Sequence, residues 1–463
     1  MATDIDKTKI CIYLLICIAA MQIFSLLKVF DFKPFTALCG ILILFLAYNL
    51  ITDSFKKMAL IFFSLGALIN IYTNQPLQSW IDGINYMLNI SSILVIMQLF
   101  TIPIKLDDYE EALTYLILRT FKNERMVYMF TLVVTHLFSS FLLFGTIPVM
   151  ISLLGEPLKK IIKDYRRFTS TALTRSYSMV VMWAPGAVNI LLVITATGAK
   201  WVDMFFLGII LSVWGILLSY LTQLKYLSDK PLKSVQAAIY DKKQNSSAAY
   251  KKLYFILGIV IVLVLLIMFF DQLAFGDNTS RVMLASLVVS GAWLATFIKH
   301  PKFSGALSEY LNVSLAKTID LAVLYISLGV FSKALELSGI LRMFYPFVGV
   351  LAEVTGLFML PVISILVFLL SLIGLHPFII LVILGKIVMS LNLPFSAAVI
   401  ATALIFGSSI SYMTSPFAGI VLTSAKYLDA TPVEVGFKWN GLFGLLYFIT
   451  GTAVIMLWAL FIN

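Results

Sequence analysis

Stretches of about twenty apolar residues recur along the whole chain, and this pattern restricts the possible folds more than any other feature. Three examples are residues 10–30, 253–270 and 441–462. A helix of this length crosses about 30 Å of hydrocarbon. Of the 463 residues, 61% are apolar and only 12% are charged, against about 25% charged in a typical soluble domain. The sequence therefore predicts a polytopic all-α membrane protein and excludes a soluble globular domain.

The basic residues give the orientation of these helices. The net charge of +10 results from 33 Lys and Arg against 23 Asp and Glu, and most basic residues lie in short connections between apolar stretches. Such an excess is typical of cytoplasmic loops. With the N-terminus inside, 26 of the 33 basic residues face inward and five face outward. We therefore predict a multi-pass protein of the cell membrane with a cytoplasmic N-terminus and no nucleic-acid partner.

The same charge distribution bears on the number of spans. The excess of basic residues on the inner side is maintained only if residues 126–158 and 356–391 each enter and leave the membrane on one side, as re-entrant helical hairpins. About eleven transmembrane helices account for the other apolar stretches. Because Cys11, Cys17 and Cys39 all lie in the first two stretches, we expect neither a disulfide framework nor a metal cluster.

The longest polar stretch, residues 225–252, divides the chain near its middle and contains Asp-Lys-Lys-Gln-Asn-Ser-Ser. This composition is typical of a flexible linker, here on the cytoplasmic side. We therefore place a group of N-terminal helices at residues 1–85, a first repeat at 86–224 and a second repeat at 253–463.

The two proposed repeats match at three points in the same order. The pairs are Gly145-Thr146-Ile147-Pro148 with Gly374-Leu375-His376-Pro377, Ser178 and Ala184-Pro185 with Ser409 and Ser415-Pro416, and Leu118-Arg119 with Leu341-Arg342. Their offsets are 229, 231 and 223 residues. Because an odd number of predicted spans separates the matched elements, the two halves have opposite orientations, as in inverted-repeat carriers. Each half is predicted to contain one hairpin and one broken helix, the latter near residues 172–198 and 395–424.

Prolines deep in these apolar stretches indicate helix interruptions. Unpaired backbone groups at membrane depth are tolerated only beside protein or a wet cavity, and the resulting helix ends attract ions. The alternative is an ordinary proline kink in a packed helix. On the first interpretation the candidate substrate-binding residues are Gly145, Thr146, Pro148, Ser178, Pro185, Gly374, His376, Pro377, Lys386, Ser408, Ser409, Ser411, Thr414, Ser415 and Pro416.

Two longer motifs of the second half point to a known family. Residues 329–340 read Gly-Val-Phe-Ser-Lys-Ala-Leu-Glu-Leu-Ser-Gly-Ile, and residues 407–421 read Gly-Ser-Ser-Ile-Ser-Tyr-Met-Thr-Ser-Pro-Phe-Ala-Gly-Ile-Val. They resemble the Gly-rich helix and the broken substrate-site helix of the ion transporter superfamily, in its divalent anion/sodium symporter and arsenite-pump-like branches. The resemblance implies a scaffold domain formed by the N-terminal helices, a mobile transport domain with both hairpins, an elevator-like movement and commonly a homodimer.

The hairpin tips differ from that family. Where relatives that use sodium and dicarboxylates typically have Ser-Asn-Thr at both tips, this chain has Gly-Thr-Ile-Pro and Gly-Leu-His-Pro. The identity of the anion and the choice between sodium ion and proton as coupling ion therefore stay open.

Ionisable residues within apolar stretches are few, and three of them bear on function. His376 lies in a predicted hairpin tip, and its ordinary pKa of about 6.5 suits proton coupling or contact with an anion; alternatively, a neutral His376 bonds a hairpin carbonyl. Lys386 either neutralises an anion, forms a buried ion pair or snorkels to the interface. Arg175 either attracts anions to the inner mouth or anchors the topology.

Lys386 and His376, together with the scarcity of intramembrane acids, favour an anionic substrate. We therefore expect a secondary active transporter, not an enzyme, that moves a small anionic solute with a proton or sodium ion and needs no other cofactor. Alternatives are an efflux pump or a cation/proton antiporter of the same superfamily, with Asp320 and Glu336 as the candidate intramembrane acids, and a lipid-phosphate flippase. The sequence contains no Gly-x-x-x-x-Gly-Lys-Ser/Thr, His-Glu-x-x-His or Gly-x-Ser-x-Gly motif.

Overall fold

The computed structural model describes residues 2–25, 30–107, 109–142, 146–230, 232, 246–339, 350, 354–373, 375, 377–391 and 393–462. In these ranges the chain forms helices and no strand. The α-helices are α1 (Ala2–Ser25), α2 (Lys33–Ala47), α3 (Asp53–Tyr72), α4 (Leu77–Asn85), α5 (Leu88–Met97), α6 (Thr101–Leu106), α7 (Tyr109–Arg119), α8 (Glu124–Leu142), α9 (Thr146–Ile161), α10 (Tyr165–Val180), α11 (Val188–Thr197), α12 (Trp201–Gln223), α13 (Ser246–Gln272), α14 (Asn278–Ala295), α15 (Phe303–Glu309), α16 (Ala316–Ser338), α17 (Met359–Leu372), α18 (Pro377–Met389), α19 (Ala397–Thr414), α20 (Gly419–Tyr427) and α21 (Asn440–Ile462).

Eight helical stretches of the described chain are long and apolar enough to cross a membrane. Four further apolar helices are shorter, and two of these, α17 and α18, lie within the predicted second hairpin. The prediction of a polytopic all-α membrane protein is thereby confirmed. The number of eleven spans stays a prediction.

Residue contacts divide the chain into two compact units. Unit 1 comprises Met1–Leu106, Leu265–Val354 and Lys386–Leu393, and unit 2 comprises Asp107–Val264, Thr355–Gly385 and Pro394–Asn463. Each unit combines segments that are far apart in sequence.

In unit 1, glycines allow α3, α4 and α16 to pack with their backbones close together. A Cβ atom on Gly66 of α3 would lie 2.7 Å from the Phe331 nitrogen of α16, and one on Gly83 of α4 would lie 3.2 Å from the Val330 Cα. A Cβ on Gly329 would collide with the Gly83 carbonyl. Small residues of this kind drive helix association in lipid, where the hydrophobic effect does not favour burial of one helix against another.

In unit 2, capping residues explain where two central helices begin. The Asp164 side chain accepts a hydrogen bond from the Arg167 amide at the start of α10, and the Ser396 side chain accepts one from the Val399 amide at the start of α19. Such caps satisfy amide groups that the first helical turn leaves unpaired. Both helices are almost completely buried along their length.

A π-helical segment, Glu434–Trp439, directly precedes α21. Its Gly436 packs against the carbonyl of Thr414, the last residue of α19, where any Cβ would collide. Single turns of π-helix are frequent at functional sites. This one places Asn440, which is fully buried, beside the end of α19.

Part of the predicted linker at residues 225–252 is described. Residues 231 and 233–245 lie outside the described residues, whereas Ser246 begins α13, so that the last seven residues of the predicted linker are helical. Lys252 in this helix is 2.7 Å from the carboxylate of Asp107. The C-terminal end of the predicted linker is therefore a regular helix with an ion pair, not a flexible chain.

Candidate functional site

Two helices of unit 2 are interrupted within buried surroundings. The first interrupted helix consists of α10 and α11, separated by residues 181–187, which include Pro185. The second consists of α19 and α20, separated by residues 415–418, which include Pro416. Proline lacks the amide hydrogen that would continue the helix. Both gaps fall within the ranges in which the sequence predicts broken helices.

Buried polar side chains join the two interrupted helices. Asn189, in the first turn of α11, donates its amide hydrogen to the hydroxyl of Ser408 and accepts a hydrogen bond of 2.9 Å from the hydroxyl of Tyr412. The Ser409 hydroxyl donates to the Ser178 carbonyl over 2.6 Å. All five residues are at most 2% exposed. We call these five residues the polar junction.

The polar junction contains a hydroxyl with no hydrogen-bond partner among the described residues, the Oγ of Ser178. Buried polar groups are normally paired, and an unpaired one requires an explanation such as a water, an ion or a ligand. Ser178 is fully buried and lies three residues before the first gap.

The other predicted hydroxyls of the second interrupted helix have partners. Ser411 donates to the Gly407 carbonyl and Thr414 donates to the Ile410 carbonyl, both one turn back on α19. Ser415, in the gap, donates to the Ser371 carbonyl of α17 over 3.0 Å and accepts from the Phe417 amide. Of these three hydroxyls, that of Ser415 therefore bonds an amide of the gap, whereas those of Ser411 and Thr414 bond back along α19.

Gaps also leave helix N-termini without side-chain caps. The residues that precede α11 and α20 are Ala187 and Ala418, and neither provides a side-chain hydrogen bond to the first turn. Uncapped amides at a helix N-terminus carry partial positive charge and favour anions.

Arg175 of α10 is 2% exposed, so its side chain does not lie at a membrane surface as a topological anchor would. Its Nε donates to the side-chain oxygen of Asn440 and its Nη2 to the Trp439 carbonyl, both over 2.8 Å. Its guanidinium also lies 4.5 Å from the centre of the Phe443 ring. Within the described ranges, no carboxylate lies within 4 Å of Arg175.

Nothing in the sequence singles out Asn440, yet it bonds to three separate segments. Besides accepting from Arg175, it donates to the Met413 carbonyl at the end of α19 over 3.1 Å and to the Val435 carbonyl of the π-helical segment over 2.9 Å. A third contact joins it to the Thr174 hydroxyl of α10. Only the position of one asparagine at the start of a long apolar stretch could have suggested this role.

Lys386 belongs to unit 1. Its ammonium group is 2.6 Å from a carboxylate oxygen of Glu336 and 2.5 Å from the hydroxyl of Tyr86, and Lys333 is 3.0 Å from the other Glu336 oxygen. Of the alternatives drawn from the sequence, these contacts correspond to the ion pair. Asp320, another unit 1 acid, accepts from the Thr52 hydroxyl.

Three predicted site residues, Gly145, Gly374 and His376, lie outside the described residues. Of their neighbours, Thr146 and Pro377 are buried at the starts of α9 and α18, and Pro148 is half-buried.

His136 of α8, in unit 2, is described. Its Nε2 accepts a hydrogen bond of 2.9 Å from the Trp183 indole and its Nδ1 is 3.3 Å from the Ser176 carbonyl. These partners fix a neutral ring with the proton on Nδ1. His136 therefore supports the first gap, in which Trp183 lies.

Among the described residues no three His, Cys, Asp or Glu side chains are arranged to hold a metal ion. The sequence matches no protein-family model and no curated protein. It does share its fold with solved structures. One is the crystal structure of the YdaH transporter of Alcanivorax borkumensis, which has an unusual topology. The two chains are 14% identical and superpose with a TM-score of 0.64 over 88% of this chain and 99% of the other. This protein has the fold of a membrane transporter.

Proposed function

We propose that this protein is a secondary active transporter that moves a small anionic solute across the cell membrane, coupled to a proton or sodium gradient. The observation that supports it best is the polar junction, which connects two interrupted helices within one compact unit. Secondary transporters build substrate sites at such interruptions, where helix N-termini face anions and free carbonyls face cations.

The distribution of charge in unit 2 favours an anionic substrate. In unit 2 the second halves of the interrupted helices, α11 and α20, have N-termini without side-chain caps, and the hydrogen-bond partners of the buried Arg175 among the described residues are neutral. The acids that a cation/proton antiporter would need are engaged elsewhere, since Glu336 pairs with two lysines and Asp320 with Thr52 in unit 1. We therefore favour anion transport over cation exchange.

The pairing of Ser178 with Ser409 supports an inverted repeat. These residues are equivalent in the sequence match at offset 231, and they are hydrogen-bonded to each other. In a two-fold arrangement, a residue contacts its own equivalent only where both lie close to the axis. We propose that the halves are related by such an axis near these serines, and that unit 2 moves in an elevator-like cycle. We also propose that the chain belongs to the ion transporter superfamily, forms a homodimer and has a cytoplasmic N-terminus.

The test is uptake into proteoliposomes of radiolabelled acetate, succinate, benzoate and phosphate, under an imposed sodium gradient, an imposed proton gradient and neither. We expect one of these anions to accumulate against its gradient with only one of the two ions. Liposomes without protein are the control. Failure of every anion to accumulate would refute the proposal, and translocation of a fluorescent phospholipid instead would favour the flippase.

A further inference from the structure

The hydrogen bonds of Arg175 satisfy its donors without cancelling its charge. Besides Asn440 and Trp439, the guanidinium donates through Nη1 to the hydroxyl of Thr222 over 3.2 Å and to the hydroxyl of Ser219 over 3.3 Å. Every one of these acceptors is neutral. Removing a charge from water without an opposite charge costs several kcal/mol, so a residue of this kind inside a membrane protein is a candidate functional group.

The charge lies beside both gaps. Arg175 is six residues before Val181, where the first gap begins, which corresponds to about 9 Å along the helix axis. Asn440, which accepts from Arg175, also donates to the Met413 carbonyl, two residues before the second gap. One buried positive charge therefore lies on α10, the helix that ends at the first gap, and shares Asn440 with the end of α19, just before the second gap.

We propose that Arg175 is the specificity-determining residue that makes the candidate site select anions, and that it acts through its electric field while its guanidinium contacts only protein. This inference rests on the proposed function. At about 10 Å and an effective dielectric constant of about 20, a unit charge changes the affinity for a monovalent anion by about 15-fold. If Arg175 only held the helices together, the affinity for the anion would not depend on the net charge of Arg175 and its hydrogen-bond partners.

Thr222 allows the charge to be cancelled without removing Arg175. Its side chain is half-buried on the last turn of α12 and already accepts a hydrogen bond from the guanidinium. Thr222→Asp places a carboxylate in that position, and Thr222→Asn is the matched control because its side chain has the same size as that of aspartate and no charge. A second pair, Thr222→Glu and Thr222→Gln, repeats the comparison with a longer side chain.

The probe is whichever of acetate, succinate, benzoate and phosphate the wild-type protein accumulates. We expect the KM for that anion in Thr222→Asp to be about tenfold above the KM in Thr222→Asn, with maximal rates within about twofold. Equal KM values in both pairs of folded variants would overturn the inference and leave the proposed function intact. A wild-type protein that accumulates none of the four anions refutes the proposed function, and the inference with it.

Discussion

The hydrogen bond between Asn189 and Tyr412 gives a direct test of the polar junction. Tyr412→Phe removes the hydroxyl that donates to the Asn189 oxygen over 2.9 Å. Asn189→Leu removes both this acceptor and the donor to Ser408, and so leaves two hydroxyls without their partner. The side chains involved are at most 2% exposed, so water cannot replace the lost contacts.

The expected magnitudes follow from the number of groups left unpaired. Tyr412→Phe should lower the free energy of unfolding by about 1–2 kcal/mol and Asn189→Leu by about 2–4 kcal/mol. In the double variant, the tyrosine hydroxyl that loses its contact with Asn189 in the single variant Asn189→Leu is itself absent. The double variant should therefore be more stable than the sum of the single effects by about 1 kcal/mol.

The assay is reversible unfolding in mixed detergent and dodecyl sulfate micelles, followed by tryptophan fluorescence. Tyr447→Phe is the matched control, because its hydroxyl donates to the Leu211 carbonyl in the same unit and shares no partner with Asn189. Combined with Asn189→Leu, it should give additive losses. If the Asn189 and Tyr412 substitutions are equally additive, the two side chains do not interact and the polar junction as described is wrong.

Two further outcomes are expected. Because Lys386 is paired with Glu336, Lys386→Met should lower stability by about 1 kcal/mol, with Glu336 partly solvated, and Lys386→Met with Glu336→Gln should restore most of the loss. Uptake by that double variant should match the wild type, and its loss would place Lys386 in the transport site. Gly407→Ala should lower stability by about 1–3 kcal/mol, because its Cβ would lie 2.9 Å from Val367. Gly258→Ala, with nothing within 4 Å, should raise it by up to about 1 kcal/mol in the same unfolding assay.

The helices of this protein and the positions of two interruptions could be predicted from local sequence features. Apolar stretches long enough to cross a bilayer predict helices regardless of how these pack, and the structure confirms an all-α polytopic membrane protein. Pro185 and Pro416 lack an amide hydrogen and therefore favour an interruption, whereas α9 continues through Pro157, so the burial and packing of the chain also decide where a helix breaks. The gaps at 181–187 and 415–418 lie at these prolines.

Partners distant in sequence are not predictable in this way. Asn189 and Tyr412 are separated by 223 residues, and Arg175 and Asn440 by 265. Neither pair has a spacing that a helix or a turn would impose, so only the packed structure brings them together. Lys386 shows the reverse case, because its apolar neighbours in sequence suggest a transport site, whereas its neighbours in space are Glu336 and Tyr86.

The number of residues in the π-helical segment Glu434–Trp439 affects the hydrogen bond between Arg175 and Asn440, which directly follows the segment. Each residue of an α-helix advances the chain by about 100°, and a π-helical turn contains about one residue more than an α-helical turn. Deleting a single residue between 433 and 440 would remove the residue that widens this turn, and the segment would then close into α-helical geometry. An insertion or deletion within this segment therefore changes the turn that leads into Asn440, the residue that bonds to Thr174 and Arg175.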